Sequence, residues 1–323
     1  MSENIYVVIE HLRGKVADIS YIMLAGAGEL SRAGGQDVVA VLLGKDAKEL
    51  AGNFAASKVL YFDHEALADF TSDAYQRVLT DLISRKQPRA VLFGNTSIGS
   101  ELASVLSIRL DLPLVNSCRN FTDDGKYVSQ ICGGKILAEG DLPTPTALVT
   151  MIPGGYKPEQ GQSGEAPPVT EADVPVLDML RVTLSHYIEP EAGDVEISNE
   201  QVLIAVGRGI QNKDNIELAE NLAQALGGVL CGSRPVVDQG WLGISRLVGK
   251  SGKYVKPKVY LAMGISGAPE HVEAIMDSDT IIAINTDPTA PIFSIANYGV
   301  EGDIFELIEV LTEKVKKERR AKR

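Results

Sequence analysis

The chain has 323 residues, 45% of them hydrophobic, and a formal net charge of −12. That length suits one large or two moderate domains, each able to bury a core, and so acidic a balance excludes general affinity for nucleic acid, which needs a basic face. No apolar run is long enough to span a bilayer and no charged-then-apolar leader precedes the first strand, so a soluble, cytoplasmic protein without membrane insertion is expected. The cysteines Cys118, Cys132 and Cys231 show no metal-like or cluster-like spacing and read as reduced thiols, so no metal site is expected.

In chain order, residues 5–9 read as a short strand, 16–30 as a helix, 37–43 and 59–62 as strands and 66–85 as a long amphipathic helix. Residues 90–94 form a fourth strand leading into a helix that ends near Leu110. Strands alternating with helices predict a parallel sheet covered on both faces. The turn at 94–100 has the small and hydroxyl residues of a phosphate cradle, but it lacks a P-loop lysine and GxGxxG spacing. A tight strand-to-helix turn with a Ser/Thr cap is the favoured reading there. After Cys118 the pattern changes: 127–131, 134–137 and 146–151 read as short strands that extend the sheet antiparallel. The stretch 154–175, rich in Gly, Pro, Gln, Ser and Glu, reads as a surface excursion. Residues 181–188 resume a β-like alternation, and 189–194 read as an interdomain linker. The expected division is therefore an N-terminal α/β domain at 1–192 and a second α/β domain at 193–323. His11, His64 and His186 sit among polar neighbours without ligand spacing, and no Ser/His/Asp or paired-carboxylate constellation forms, so no catalytic residue is named.

In the second half, 201–206, 228–231, 259–263 and 280–284 read as strands, 215–226 as a helix, and Pro269 suits the first turn of a helix ending near Asp277. The strand ends present Arg208, Ser233 with Arg234, Ser266 with Gly267, and Asn285 at one sheet edge, the expected ligand crevice of an open α/β sheet. Two arginines and a helix N-terminus suit a pyrophosphate. Asn285 and Asp303 suit an adenine or ribose. The basic run 314–323, with Lys316, Lys317, Arg319, Arg320, Lys322 and Arg323, reads as a solvated helix end.

The motifs Gly207-Arg208-Gly209, Gly232-Ser233-Arg234-Pro235, Val248-Gly249-Lys250-Ser251-Gly252, Gly264-Ile265-Ser266-Gly267-Ala268, His271 and Ile284-Asn285-Thr286-Asp287-Pro288 match in order and spacing across about residues 201–310. In these the chain resembles the electron-transfer flavoprotein alpha subunit, and the run 91–97 resembles that family more loosely. The resemblance implies a Rossmann-like domain that holds FAD and a beta subunit that completes a heterodimer. It implies that Arg208, Ser266, Gly267, Asn285 and Asp303 hold the pyrophosphate and adenosine, and that Ser233, Arg234, Val248, Gly249, Lys250, Ser251 and His271 surround the flavin. Ala268, Pro269, Glu270 and Ile304 flank these positions and join the expected cofactor-binding set. The family carries Arg234 over the isoalloxazine, Ser251 within reach of N5 and His271 near the pyrimidine carbonyl.

A cation or hydrogen-bond donor near the flavin would stabilise the negative charge that arrives on reduction. Three positions depart from the family. Lys250 stands where glutamine is usual and Ser251 where threonine is common; an inward Lys250 would raise the reduction potential. Glu270, replacing a usual glutamine, would favour a protonated His271. The implied function is an electron carrier rather than an enzyme, passing electrons from an acyl-CoA or other dehydrogenase, or a beta-subunit cofactor, to a redox acceptor protein. Electron bifurcation would require a second flavin in the partner. The alternatives are a nucleotide-dependent enzyme such as an adenylyl transferase built on the first-half sheet, for which residues 9–15 supply no activation motif, and a structural subunit whose second-half motifs are ordinary caps.

Overall fold

A computed structural model describes residues 4–132, 136–187 and 196–321, and divides the chain into two units, Met1–Tyr187 and Ile188–Arg323. Both are α/β. The first is built on β1 (Ile5–Val8), α1 (Asp18–Gly34), β2 (Val38–Gly44), β3 (Lys58–Asp63), α2 (Ser72–Lys86), β4 (Ala90–Gly94), α3 (Ser97–Leu110), β5 (Leu114–Phe121), β6 (Tyr127–Ile131), β7 (Ile136–Gly140), β8 (Ala147–Met151) and β9 (Val169–Glu171). Its sheet runs β9-β3-β2-β1-β4-β8-β5-β6-β7, parallel as far as β5 and antiparallel for the last two strands. Every residue of β1, β2, β4 and β8 is buried, as strands covered on both faces require. Met23, Leu24 and Leu30 of α1 pack on one face, and Val78, Leu79 and Leu82 of α2 with Leu102 and Leu106 of α3 on the other.

Several expectations are corrected in this unit. The first helix starts at Asp18 because Lys15–Val16 pairs back on His11–Leu12 as a small hairpin, and it continues to a left-handed cap at Gly35, φ 72°. The expected helix at 66–85 is broken: Glu65–Leu67 is a 3₁₀ turn and Thr71 is extended at φ −130° before α2 begins. Strand β5 was not expected, because a bulge and its polar residues disguise the alternation. Residues of β8 were expected to join antiparallel. They lie parallel between β4 and β5, the central position that five consecutive buried side chains demand.

The stretch 154–175 is more than a surface excursion. Pro158 and Gly161 are buried, and a Cβ on Gly161 would lie 1.9 Å from the Tyr21 carbonyl oxygen of α1. The chain then returns as β9, parallel to β3. Residues 181–187 form no strand. The segment entering them is held by side chains instead: the Arg77 guanidinium donates to the carbonyls of Asp178 and Met179, and the Arg181 amide donates to the Asp73 carboxylate. The expected linker 189–194 lies outside the described residues.

The second unit comprises β10 (Val202–Val206), α4 (Ile216–Leu226), β11 (Val229–Gly232), α5 (Arg234–Asp238), β12 (Val259–Met263), α6 (Pro269–Val272), β13 (Ile281–Asn285), β14 (Tyr298–Glu301) and α7 (Ile304–Ala321). Its sheet, β11-β10-β12-β13-β14, is parallel throughout. Strand β14 has only exposed residues and so carries no apolar run in the sequence. The apolar side of α7, including Ile304 and Ile308, packs with Leu222 of α4, so Lys316, Lys317 and Arg319 lie on the distal part of a docked helix, and Lys322 and Arg323 lie outside the described residues. No helix among the described residues is long and apolar enough to cross a membrane.

Both sheets reverse their strand order, at β1/β4 in the first unit and at β10/β12 in the second, and each reversal opens a crevice at the strands' carboxyl ends. In the first unit that crevice is filled. Thr96 Oγ accepts from the Gly99 amide as the cap of α3 and donates to the Glu10 carboxyl at 2.8 Å, leaving a void of only about 10 Å³ beside it. The turn at 94–100 is thus a cap, and the void lined by Glu10 and Ile98 is smaller than a nucleotide. Burial, opposed by bonds from Thr96 and Gly94, pushes the Glu10 pKa from 4.5 up to about 7. Stability from this group is therefore fully present below pH 4.5 and lost as pH rises through about 7, by up to ~3 kcal/mol. Glu10→Gln should gain on the wild type by up to that amount between pH 5 and pH 8 in denaturant titrations; a pH-independent difference would show that Glu10 does not titrate there.

Candidate functional site

At the β10/β12 reversal the backbone itself forms the floor. Gly207 and Gly209 follow β10, and Gly264 follows β12 in the left-handed region at φ 63°. The Gly209 amide donates to the Gly264 carbonyl at 3.2 Å. A Cβ on Gly207 would lie 2.2 Å from that oxygen, and one on Gly264 would lie 2.7 Å from the Gly209 Cα. Only glycine permits this crossing. Above it opens a cavity of about 690 Å³, within the range of small-molecule and cofactor sites.

All the sequence-expected site residues line this cavity except Gly267 and Pro269. Gly267 instead makes a turn, φ 86°, against which the 290–293 segment closes; a Cβ there would lie 2.3 Å from the Ile292 nitrogen. Pro269 occupies the first turn of α6. The wall also includes Gln211, Thr286, Asp287 and Ala290. Thr286, Asp287 and Ala290 belong to the motif at 284–293, whereas nothing in the local sequence marks Gln211. Tyr254, Tyr260 and Glu273, which support wall residues from behind, carry no short-range signal either.

One end of the cavity suits a nucleotide. Asp303 lies at the start of the 18-residue helix α7, where its Oδ1 accepts from the Phe305 amide at 2.8 Å. A carboxylate there suits ribose hydroxyls better than phosphate. The Asn285 amide is partly engaged, donating to the Ile265 carbonyl and accepting from the Asp287 amide, each at 3.0 Å, so it ties two wall loops together. Arg208 is exposed beside them and supplies a cation for an anionic group.

At the other end, the Val248 amide donates to the Gly232 carbonyl at 3.0 Å and the Lys253 amide to the Leu247 carbonyl at 2.8 Å, so the 248–253 loop curls beside β11. Arg234 donates to Ser251 Oγ at 2.8 Å and pairs with Asp238 at 3.3 Å. The Lys250 ammonium is 3.8 Å from the Glu273 carboxylate.

His271 corrects the expectation of a protonated ring. It is buried, and the Glu270 side chain beside it is exposed. His271 Nδ1 lies 3.1 Å from the Val248 carbonyl and Nε2 lies 2.9 Å from the Tyr260 hydroxyl. A carbonyl only accepts, so Nδ1 carries the hydrogen and Nε2 accepts from Tyr260. Burial, opposed by the Val248 contact, pulls the His271 pKa from 6.5 down to about 4. Behind Tyr260 stands Cys231, whose thiol burial pushes up to about 12. The chain from Cys231 through Tyr260 to His271 is therefore uncharged at neutral pH.

The residues present fit a flavin dinucleotide: a cavity of adequate volume, a cation and a ribose-suited carboxylate at one end, and at the other an arginine, a lysine and a hydroxyl. Comparison with known proteins agrees with that chemistry. Residues 5–177 match the family described as "Electron transfer flavoprotein domain", and residues 196–276 match "Electron transfer flavoprotein FAD-binding domain". The chain is 32% identical to the acryloyl-CoA reductase electron transfer subunit beta of Anaerotignum propionicum, over 98% of this chain and 97% of the relative. It is 30% identical to the electron transfer flavoprotein subunit alpha of Bacillus subtilis over 98% of each chain. The corresponding subunit of Megasphaera elsdenii is 33% identical over 98% of this chain and 97% of its own.

Tyr260→Phe should cost about 1–3 kcal/mol of stability in denaturant unfolding, because it leaves His271 Nε2 buried without a donor; an unchanged midpoint would mean that the ring finds another partner. Because the folded His271 pKa lies below its unfolded value, its contribution is fully present above pH 6.5 and lost as pH falls through about 4. His271→Gln should therefore reduce the acid sensitivity of the fold between those limits, as read by unfolding at stepped pH.

Proposed function

The chain belongs to the electron transfer flavoprotein family as an alpha-type subunit with an FAD-binding domain, and from that premise we propose that the cavity at the β10/β12 reversal is where the FAD is held. The observation that carries this is that Arg208, Arg234, Ser251, Asn285 and Asp303 all line one cavity. Arg208 neutralises the pyrophosphate, while Asp303 accepts from ribose hydroxyls and Ser266 and Asn285 flank the nucleotide. Ser233, Arg234, Val248, Gly249, Lys250, Ser251 and His271 enclose the ring system. When bound, the FAD supplies the capacity to accept and release electrons.

The protein's own groups set how readily that happens. The Arg234 guanidinium, held by Ser251 and Asp238, places a fixed cation where negative charge arrives on reduction, and needs no reorganisation to do so. His271 contributes a buried, neutral wall that limits water. Its nitrogens bond Val248 and Tyr260 and burial keeps the ring uncharged, so the cationic tuning falls to the arginine rather than the imidazole.

The chain then works as an electron carrier with a beta subunit as its heterodimer partner, receiving electrons from a dehydrogenase or a beta-subunit cofactor and delivering them to a redox acceptor protein. The similarity to an acryloyl-CoA reductase electron transfer subunit supports a place beside an acyl-CoA-linked enzyme. Co-purification of the chain with its partner should yield bound flavin in the visible spectrum, and a colourless heterodimer would overturn the reading. Arg234→Ala should make reduction of the bound FAD less favourable, by about tenfold in the equilibrium constant. A redox titration indistinguishable from wild type would remove Arg234 from that role.

A further inference from the structure

The 253–255 segment and the 271–274 segment are tied together by backbone, the Val255 amide donating to the Ala274 carbonyl at 2.9 Å. That bond sets Tyr254 and Glu273 side by side, and the Tyr254 hydroxyl donates to Glu273 Oε1 at 2.9 Å. The other carboxylate oxygen, Oε2, faces the Lys250 ammonium at 3.8 Å. Lys250 is on the cavity wall and Glu273 is not. The Lys250 backbone is fixed too, its amide donating to the Glu270 carbonyl at 2.8 Å.

Burial separates the Glu273 carboxylate from its neighbours, while the Lys250 side chain is 53% exposed. Asp238 beside Arg234 is 59% exposed and Glu196 beside Lys253 is 56% exposed, whereas the Glu273 side chain is only 9% exposed. Water and salt screen the first two carboxylates strongly and Glu273 weakly. Burial and the Glu273 carboxylate also push the Tyr254 phenol upward, which keeps it a donor. A carboxylate so placed has a definite position and is less screened than the other two.

We propose that Lys250 and Glu273 act as a charge-compensated pair at the flavin, in which Glu273, oriented by Tyr254, positions the Lys250 cation and offsets its field. Glu273 is thus a positioning residue that sets the flavin's reduction potential without touching the cavity. This rests on the reading that the cavity holds FAD. The pair would leave a lysine on that wall without the effect of a full extra charge, since cation and anion act on the incoming electron with opposite signs.

The test is a redox titration of the FAD-loaded heterodimer against a dye of known potential, for Glu273→Gln, Lys250→Met and the double variant. Glutamine keeps an acceptor for Tyr254 and removes only the charge. Glu273→Gln should shift the equilibrium toward reduced flavin by about tenfold, Lys250→Met should shift it the opposite way by a similar factor, and the double variant should return to within about twofold of wild type. Lys250→Arg should preserve the wild-type value. Where Lys250→Met fails to fold, Lys250→Gln makes the same change of charge. Full flavin content with an unmoved potential in either single variant, or shifts of the same sign in both, would overturn the pair. Loss of flavin from every form, wild type included, would overturn the FAD reading itself.

Discussion

The second unit depends on a contact without side chains, the crossing of the Gly207–Gly209 loop over Gly264. Because no Cβ intervenes, the loops leaving β10 and β12 lie against each other and bond backbone to backbone. This closes the floor of the crevice while leaving its upper space open. Asn285 repeats the device at the next strand end by bonding two loops through one amide. The cavity is therefore a consequence of how closely neighbouring strand ends can approach, and its functional groups are attached to a rigid frame.

Two doubly wound sheets in one chain reach opposite outcomes at their reversal points. In the first unit the Glu10 carboxyl and the Thr96 hydroxyl fill the crevice between β1 and β4. The same place in the second unit stays open to about 690 Å³. The topology supplies a ligand-sized crevice in both cases, and one inward side chain decides whether it is available.

Charge within the second unit is layered by burial. The interior chain from Cys231 through Tyr260 to His271 satisfies its hydrogen bonds with neutral partners, so it avoids the cost of a buried ion. Cations are kept at the wall, where Asp238 and Glu273 accompany them. Burial draws the His271 pKa down to about 4, so the imidazole stays uncharged near neutral pH and the arginine supplies the cation.

What the sequence determined by itself was whatever follows from short-range pattern. The strands of the second unit up to β13 and their glycine-rich ends are legible because buried parallel strands are continuous apolar runs and because tight crossings demand glycine. Hence Arg208, Ser233, Ser266 and Asn285 can be assigned to one site from their places after strands, whereas Ser251 is assigned by the resemblance of its motif. Tertiary structure decided whatever depends on which distant residues meet. Strand β8 is parallel because its neighbours are β4 and β5, a pairing no local alternation encodes. His271 is neutral because Tyr260 and Val248 take its nitrogens and burial removes water, although the adjacent Glu270 suggested the reverse. Lys250 faces Glu273, twenty-three residues further on, because the Val255–Ala274 bond brings the two segments together. Protonation and charge compensation are set by solvent exclusion and three-dimensional proximity, and those come into being only when the chain has folded.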